Sequence, residues 1–191
     1  MCSRFEVNVQ PRDLARRFGF DDIPTGYSCG EIRPTNPVLA VGQGGSKVLP
    51  WGLKVDWDPK PLINARCETL TQKVTFRPLL ENRCIVPATA YFEWRRVGKA
   101  RLKNRIAEAN GEIFSFAGLH DGQRLVIVTC HPASDIAHIH NRMPIILTRA
   151  AEKTWTDENL SFDSVQKVLR PTELGYLIAN EEQPTQPDLF G

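Results

Sequence analysis

The chain has 191 residues, 41% of them apolar and 24% charged, and a formal net charge of +2, which suits one soluble globular domain with enough material for a real core. No apolar run approaches membrane-spanning length, and Arg4, Glu6, Arg12, Asp13, Arg16 and Arg17 break up any signal peptide in the first twenty residues. The small positive charge does not itself demand nucleic acid, although it leaves room for a local basic groove.

Five cysteines (Cys2, Cys29, Cys67, Cys84 and Cys130) are odd in number, widely spaced and without a C-x-x-C pair. Neither a disulfide framework nor a zinc ribbon is expected from them. The expectation is a reduced, cytosolic, monomeric protein with no cofactor and no metal.

The chain opens Met1-Cys2-Ser3-Arg4-Phe5. With Met1 removed, residue 2 carries an α-amine and a thiol on neighbouring carbons. An α-amine titrates near ~7.8 and a lysine near ~10.4, so the former is a few hundred-fold more often unprotonated at neutral pH. The neighbouring thiol is a strong nucleophile even as a minor thiolate fraction. Such a 1,2-aminothiol captures aldehydes, first as an imine and then, by closure through sulfur, as a thiazolidine. The plainer reading of Cys2 is a small residue at a frayed terminus.

Residues 3–9 alternate as a strand with Phe5, Val7 and Val9 on one face, which would hold Cys2 at the end of a sheet. Pro11 opens a short helix to Phe18, and Gly19 suits its stop. Residues 20–36 read as loop. Strands are expected at 37–42 and 47–54 around a Gln43-Gly44-Gly45-Ser46 turn. The run Asp56-Trp57-Asp58-Pro59-Lys60-Pro61 is too rich in proline for regular structure. Residues 70–82 predict a helix broken at Pro78. Strands follow at Arg83–Val86 and Ala88–Arg95, then a charged loop over 96–111, then strands at 112–118 and 124–130 around Asp121-Gly122. A helical turn at 134–140, a short strand at 143–147 and helices at 149–155 and 163–169 complete a domain of residues 1–175. Residues 176–191 read as tail. Strands outnumber helices and are mostly hairpin-connected, so the fold class is α+β with mainly antiparallel, barrel-like sheets and short flanking helices.

Several side chains could carry chemistry. Glu93, among Tyr91, Phe92 and Trp94, is either a solvated strand residue or a general acid/base whose pKa burial has raised. His138 and His140 flank Ile139 and, with Cys130-His131, allow a zinc site to be sketched, but no second tight ligand pair supports it; a proton-transfer histidine fits better. Asn64 can donate and accept at once. Arg4, Arg33, Arg66, Arg77 and Arg142 suit phosphates, and Phe5, Trp51 and Trp57 could stack on bases. The plain alternative makes the aromatics core and the arginines solvated.

These segments come together in one resemblance. Met1–Phe5, Trp51-Gly52-Leu53, Ile63-Asn64-Ala65-Arg66-Cys67-Glu68-Thr69, Phe76-Arg77-Pro78-Leu79, Arg83-Cys84, Tyr91-Phe92-Glu93-Trp94, Phe116-Ala117-Gly118-Leu119 and Ile139-His140-Asn141-Arg142-Met143-Pro144 stand in the order found in the SOS-response-associated peptidase (SRAP) domain. From residue 2 to about residue 150 the chain resembles that family. The resemblance implies binding of single-stranded DNA with abasic sites and capture of the ring-opened deoxyribose aldehyde as a thiazolidine. Cys2 would be the nucleophile, Asn64 would position the sugar or the Cys2 backbone, Glu93 would shuttle protons, and His140 would assist ring opening and reversal. Arg4, Phe5, Trp57, Arg66, Arg77 and Arg142 would hold backbone and bases. Such a protein is expected in the cytoplasm with the nucleoid. The family name also records a peptidase, so a thiol peptidase using Cys2 and His140, and a non-catalytic single-stranded-DNA module, stand as alternatives.

Departures from the family pattern are Ser3 in place of a glycine, Glu31-Ile32-Arg33-Pro34 where a Tyr-Asn-x-Ala-Pro run is usual, and a shortened tryptophan loop keeping only Trp57. The tail ends Gln186-Pro187-Asp188-Leu189-Phe190-Gly191, which resembles peptides that dock on bacterial sliding clamps, with Gln186, Leu189 and Phe190 as anchors.

Overall fold

The computed structural model describes residues 2–171 and 177–182. Two large, mainly antiparallel sheets and a separate β5–β6 hairpin are built from β1 (Phe5–Val7), β2 (Gly30–Ile32), β3 (Pro37–Gly42), β4 (Gly45–Pro50), β5 (Leu53–Val55), β6 (Asp58–Leu62), β7 (Asn64–Arg66), β8 (Arg83–Ala88), β9 (Ala90–Val97), β10 (Ala100–Glu108), β11 (Phe114–His120), β12 (Leu125–Cys130), β13 (Met143–Pro144), β14 (Ile146–Leu147) and β15 (Leu177–Glu181). Helices α1 (Pro11–Phe18), α2 (Arg149–Thr156) and α3 (Phe162–Val165) flank them. The first sheet runs β15-β10-β9-β1-β2. The second runs β13-β12-β11-β8-β3-β4, with β7 pairing in parallel to β12 and β14 to β11. The α+β, mainly antiparallel expectation holds, but the sheets do not close into a barrel: among the described residues the first ends on β15 and β2.

The two sheets meet through aromatic rings. Phe5 of β1 stands edge-on to Trp51 at 5.1 Å and to Phe116 of β11 at 5.6 Å, and Tyr91 of β9 meets Phe116 at 6.2 Å. Edge-to-face packing suits the ring quadrupoles, and full burial of such rings supplies much of the apolar area that stabilises the core. Trp51 also donates its indole N–H to Ile63 O at 2.9 Å, which fixes the chain just before Asn64. Gly52, at φ +122, follows it where a Cβ would come within 2.8 Å of Pro61 Cβ, so only glycine fits there.

Five stretches differ from expectation. Within 20–36, Gly30–Ile32 pairs with β1. Asp58–Leu62 is a strand despite Pro59 and Pro61, because among the described residues it pairs only with β5, in a two-stranded hairpin, with no second partner needing its N–H groups. Residues 70–82 hold no α-helix; a 3-10 turn at Arg77–Leu79 is what forms, since Pro78 has no N–H for an α-helical bond to residue 74 and is tolerated only in the first turn of a helix. The charged run at 96–111 is the longest strand, β10: Asn104 and Ile106 turn inward while Lys103 and Arg105 turn out to meet Glu31 and Glu6. Leu177–Glu181, inside the stretch read as tail, pairs with β10. Among the described residues no helix is long and apolar enough to cross a membrane.

Candidate active site

Cys2 precedes β1, an interior strand of the first sheet, flanked by β9 and β2. Phe5 stands opposite Tyr91, and the Phe92 N–H donates to Arg4 O at 3.0 Å, so the chain entering β1 runs alongside the part of β9 that carries Glu93. Cys2 has no exposed surface, and its thiol donates to Arg4 O at 3.5 Å. Burial first, and then the Glu93 carboxylate, push that thiol well above its ordinary pKa, so it is held as S–H.

Asn64 arrives from the other sheet. Parallel pairing with β12 sets β7, with Asn64 opposite Ile127. The Asn64 Nδ2 then donates to Cys2 O at 2.7 Å. Its Oδ1 is buried with no hydrogen-bond partner among the described residues.

Glu93 is 3% exposed, and burial raises its pKa to about 7. His140 comes from the loop before β13, its Nε2 lying 3.8 Å from Glu93 Oε2. The Arg142 N–H donates to His140 Nδ1 at 3.0 Å. The Arg142 carbonyl oxygen lies 3.2 Å from the same nitrogen; with Nδ1 assigned as acceptor of the shorter bond, the neutral ring carries its proton on Nε2, on the side of Glu93. Burial also lowers the His140 pKa from its ordinary value, so the ring is neutral near pH 7. A half-ionised carboxyl facing a neutral imidazole N–H is a pair that can both give and take a proton, and such contacts shorten when substrate arrives.

Not every expected contact residue lies on the surface. Phe5 is fully buried between the sheets and is not available to stack on a base. Arg142 is 8% exposed, its guanidinium forked onto Glu68 at 2.6 and 3.0 Å, so it does not present itself to phosphate. Trp51 is also core. Trp57, by contrast, is 68% exposed at the β5–β6 turn, and Arg66 and Arg77 are exposed. Arg4 is half-buried beside the Trp94 ring, 5.3 Å from its centroid, and pairs with Glu31 at 2.7 Å. Glu31, one of the departures, also holds Lys103 at 2.8 Å, so its charge is answered within the fold. His138 is exposed while His140 faces Glu93, and among the described residues no three His, Cys, Asp or Glu side chains gather as a metal set. Gln186, Leu189 and Phe190 lie outside the described residues.

The sequence reading gave Glu68 no role. It lies within the Ile63–Thr69 motif, but nothing local signals a partner 74 residues away in Arg142.

The profile of the family described as SOS response associated peptidase (SRAP) matches residues 1–181. The abasic site processing protein YoqW of Bacillus subtilis is 35% identical, covering 90% of this chain and 87% of its own, and YoaM of the same organism is 36% identical, covering 90% and 86%. The abasic site processing protein YedK of Escherichia coli is 27% identical over 84% of this chain and 82% of its own. Among solved structures, a Bordetella bronchiseptica protein superposes with a TM-score of 0.82 at 20% identity, covering 96% of this chain and all of that one, and a Bacteroides thetaiotaomicron protein with 0.79 at 24% identity, covering 95% and 92%. The structural neighbours establish the fold. With the family profile covering nearly the whole length and relatives above 30% identity, the chain belongs to the SOS response associated peptidase (SRAP) family.

Proposed function

We propose that this protein processes abasic sites, capturing the ring-opened deoxyribose aldehyde in single-stranded DNA through Cys2 once Met1 has been removed. The observation that carries the reading is the meeting of four residues from distant segments: the Asn64 amide on the Cys2 carbonyl, and His140 against the buried Glu93 of β9, which pairs with β1.

The chemistry balances with these groups alone. In the closed sugar, Glu93 as carboxylate takes the C1′ hydroxyl proton while His140 Nε2–H donates to the ring oxygen, breaking the C1′–O4′ bond and freeing the aldehyde. The Cys2 α-amine adds to that carbonyl. One amine proton passes to the carbonyl oxygen, protonated Glu93 gives its proton to the hydroxyl so formed, water leaves, and the second amine proton returns to His140 Nε2 as the C=N bond forms. The thiol then adds across C=N, sulfur bonding to carbon and its proton passing to nitrogen, to give the thiazolidine. A thiol held protonated by burial suits this order, amine first and sulfur second.

Two observations weigh against a thiol peptidase, which needs a depressed thiol pKa and a histidine lone pair turned to sulfur. Here the thiol pKa is raised, and the Nδ1 lone pair is taken by the Arg142 N–H. Exposed Trp57, Arg66 and Arg77, with Arg4, are the side chains we assign to bases and phosphates. A monomer acting in the cytoplasm with the nucleoid fits this work, and Gln186, Leu189 and Phe190 are proposed as a clamp-docking peptide, to be checked by pull-down of Leu189→Ala/Phe190→Ala.

The test is Met1-processed protein with an oligonucleotide bearing one abasic site, run on a denaturing gel. A heat-stable shifted band that Cys2→Ala abolishes is the expected result. No band with fully processed protein sinks the capture mechanism and leaves binding without chemistry.

A further inference from the structure

The Arg142 guanidinium is a junction. Nη1 and Nη2 fork onto the two Glu68 oxygens at 2.6 and 3.0 Å, and Nη2 also donates to Thr129 O at 2.8 Å and Oγ1 at 3.2 Å. A planar, bidentate arginine–carboxylate pair fixes orientation as well as distance. Arg142 meanwhile grips His140 with its main chain: its N–H donates to Nδ1 at 3.0 Å and its carbonyl oxygen lies 3.2 Å from the same nitrogen. Glu68 sits four residues beyond Asn64, the residue that holds Cys2 O. The Glu68–Arg142 fork therefore ties the arm of the site that carries Asn64 to the arm that carries His140.

We propose that Glu68 is a positioning residue: by holding Arg142 it sets the His140 ring with Nδ1 accepting and the Nε2 proton directed to Glu93. Arg142 keeps the Glu68 carboxyl ionised, its pKa lowered to about 2, so the fork persists through the neutral range. His131 Nε2, 3.4 Å from Glu68 Oε1 on a mostly exposed side chain, adds to the fork without replacing it. Neither residue need touch DNA for this effect. The rate consequence rests on the capture reading; the ring orientation does not.

Nuclear magnetic resonance of protein labelled with 15N-histidine tests the two separately, with the His140 signals assigned by loss in His140→Gln. In the wild type, Nδ1 should resonate as a lone-pair nitrogen and Nε2 as a protonated one. In Glu68→Gln, and in Arg142→Lys, which keeps the charge but cannot fork, the two should move toward averaged positions. Crosslinking should slow about tenfold in each single variant and no further in the double, as expected for partners in one interaction. Should Glu68→Gln fail to fold, Arg142→Lys gives the same reading. Unmoved His140 signals in a folded variant overturn the proposal. So does tighter, more salt-sensitive binding of undamaged single-stranded DNA by Glu68→Gln with those signals unmoved, because Glu68 would then be a latch on a phosphate-binding arginine. If the signals average but no form ever crosslinks, the positioning role stands and the capture mechanism falls.

Discussion

The Asn64 amide and the Cys2 carbonyl, 62 residues apart in sequence, are joined by a 2.7 Å hydrogen bond. That bond links the second sheet to the chain entering the first and fixes the residue on which the proposed chemistry depends. Asn64→Ala should slow crosslinking roughly five- to tenfold, the equivalent of about 1 kcal/mol for one neutral hydrogen bond. Asn64→Asp should do worse, since a carboxylate oxygen then faces the carbonyl it can no longer serve. Single-turnover gel assays read both.

Glu93 makes stability depend on pH in a defined window. Burial raises its folded pKa from 4.5 to about 7, so the folded state binds the proton more tightly than the unfolded chain. Its contribution is fully present below about pH 4.5, falls as pH rises toward 7, and is absent above that, a loss on the order of 3 kcal/mol. Glu93→Gln removes the ionisation. Urea melts should show the variant gaining on the wild type between pH 5 and pH 8; parallel curves would falsify the buried, raised carboxyl.

Tyr91 is fully buried and its hydroxyl has no hydrogen-bond partner among the described residues. An unsatisfied buried polar group costs roughly 1–3 kcal/mol. Tyr91→Phe keeps the ring against Phe116 and removes that cost, so the denaturation midpoint should rise, by about 1 kcal/mol. A loss of stability would mean that the hydroxyl has a partner in solution.

Arg17 and Glu152 form an ion pair between α1 and α2 with both side chains 8% exposed. Removing one partner leaves the other charge buried. Glu152→Ala should therefore cost about 3–5 kcal/mol, whereas replacing both residues with apolar ones of similar volume should cost far less. Chemical denaturation of the single and double variants separates the two cases.

Trp57 is exposed on a two-stranded hairpin, so Trp57→Ala should change stability by no more than about 0.5 kcal/mol. If bases stack on it as proposed, single-stranded DNA affinity should fall by about 1–3 kcal/mol. Unchanged affinity in a titration would remove Trp57 from the interface.

Sequence alone determined what local chemistry can determine. Alternation placed Phe5 and Val7 on one buried face, Pro11 and Gly19 bracketed α1, and the ordered motifs from Cys2 to Pro144 pointed to the family that the profile match shows. The residues of the candidate site could be proposed because their types announce chemistry: an aminothiol, an amide, a carboxylate among aromatics, an imidazole. Where partners are distant, the same reading failed. Asp58–Leu62 and Ala100–Glu108 carry prolines and charges that argue against strands in isolation, and they are strands because β5 and β9 supply the pairing. Glu68 carried no role, Arg142 looked able to meet a phosphate and Phe5 a base; only the fold turned the first two toward each other and put the third between sheets. The physical reason is common to all of these. Burial, hydrogen-bond satisfaction and pKa depend on what packs against a side chain, and in a fold dominated by long-range strand pairing that neighbour is seldom nearby in sequence.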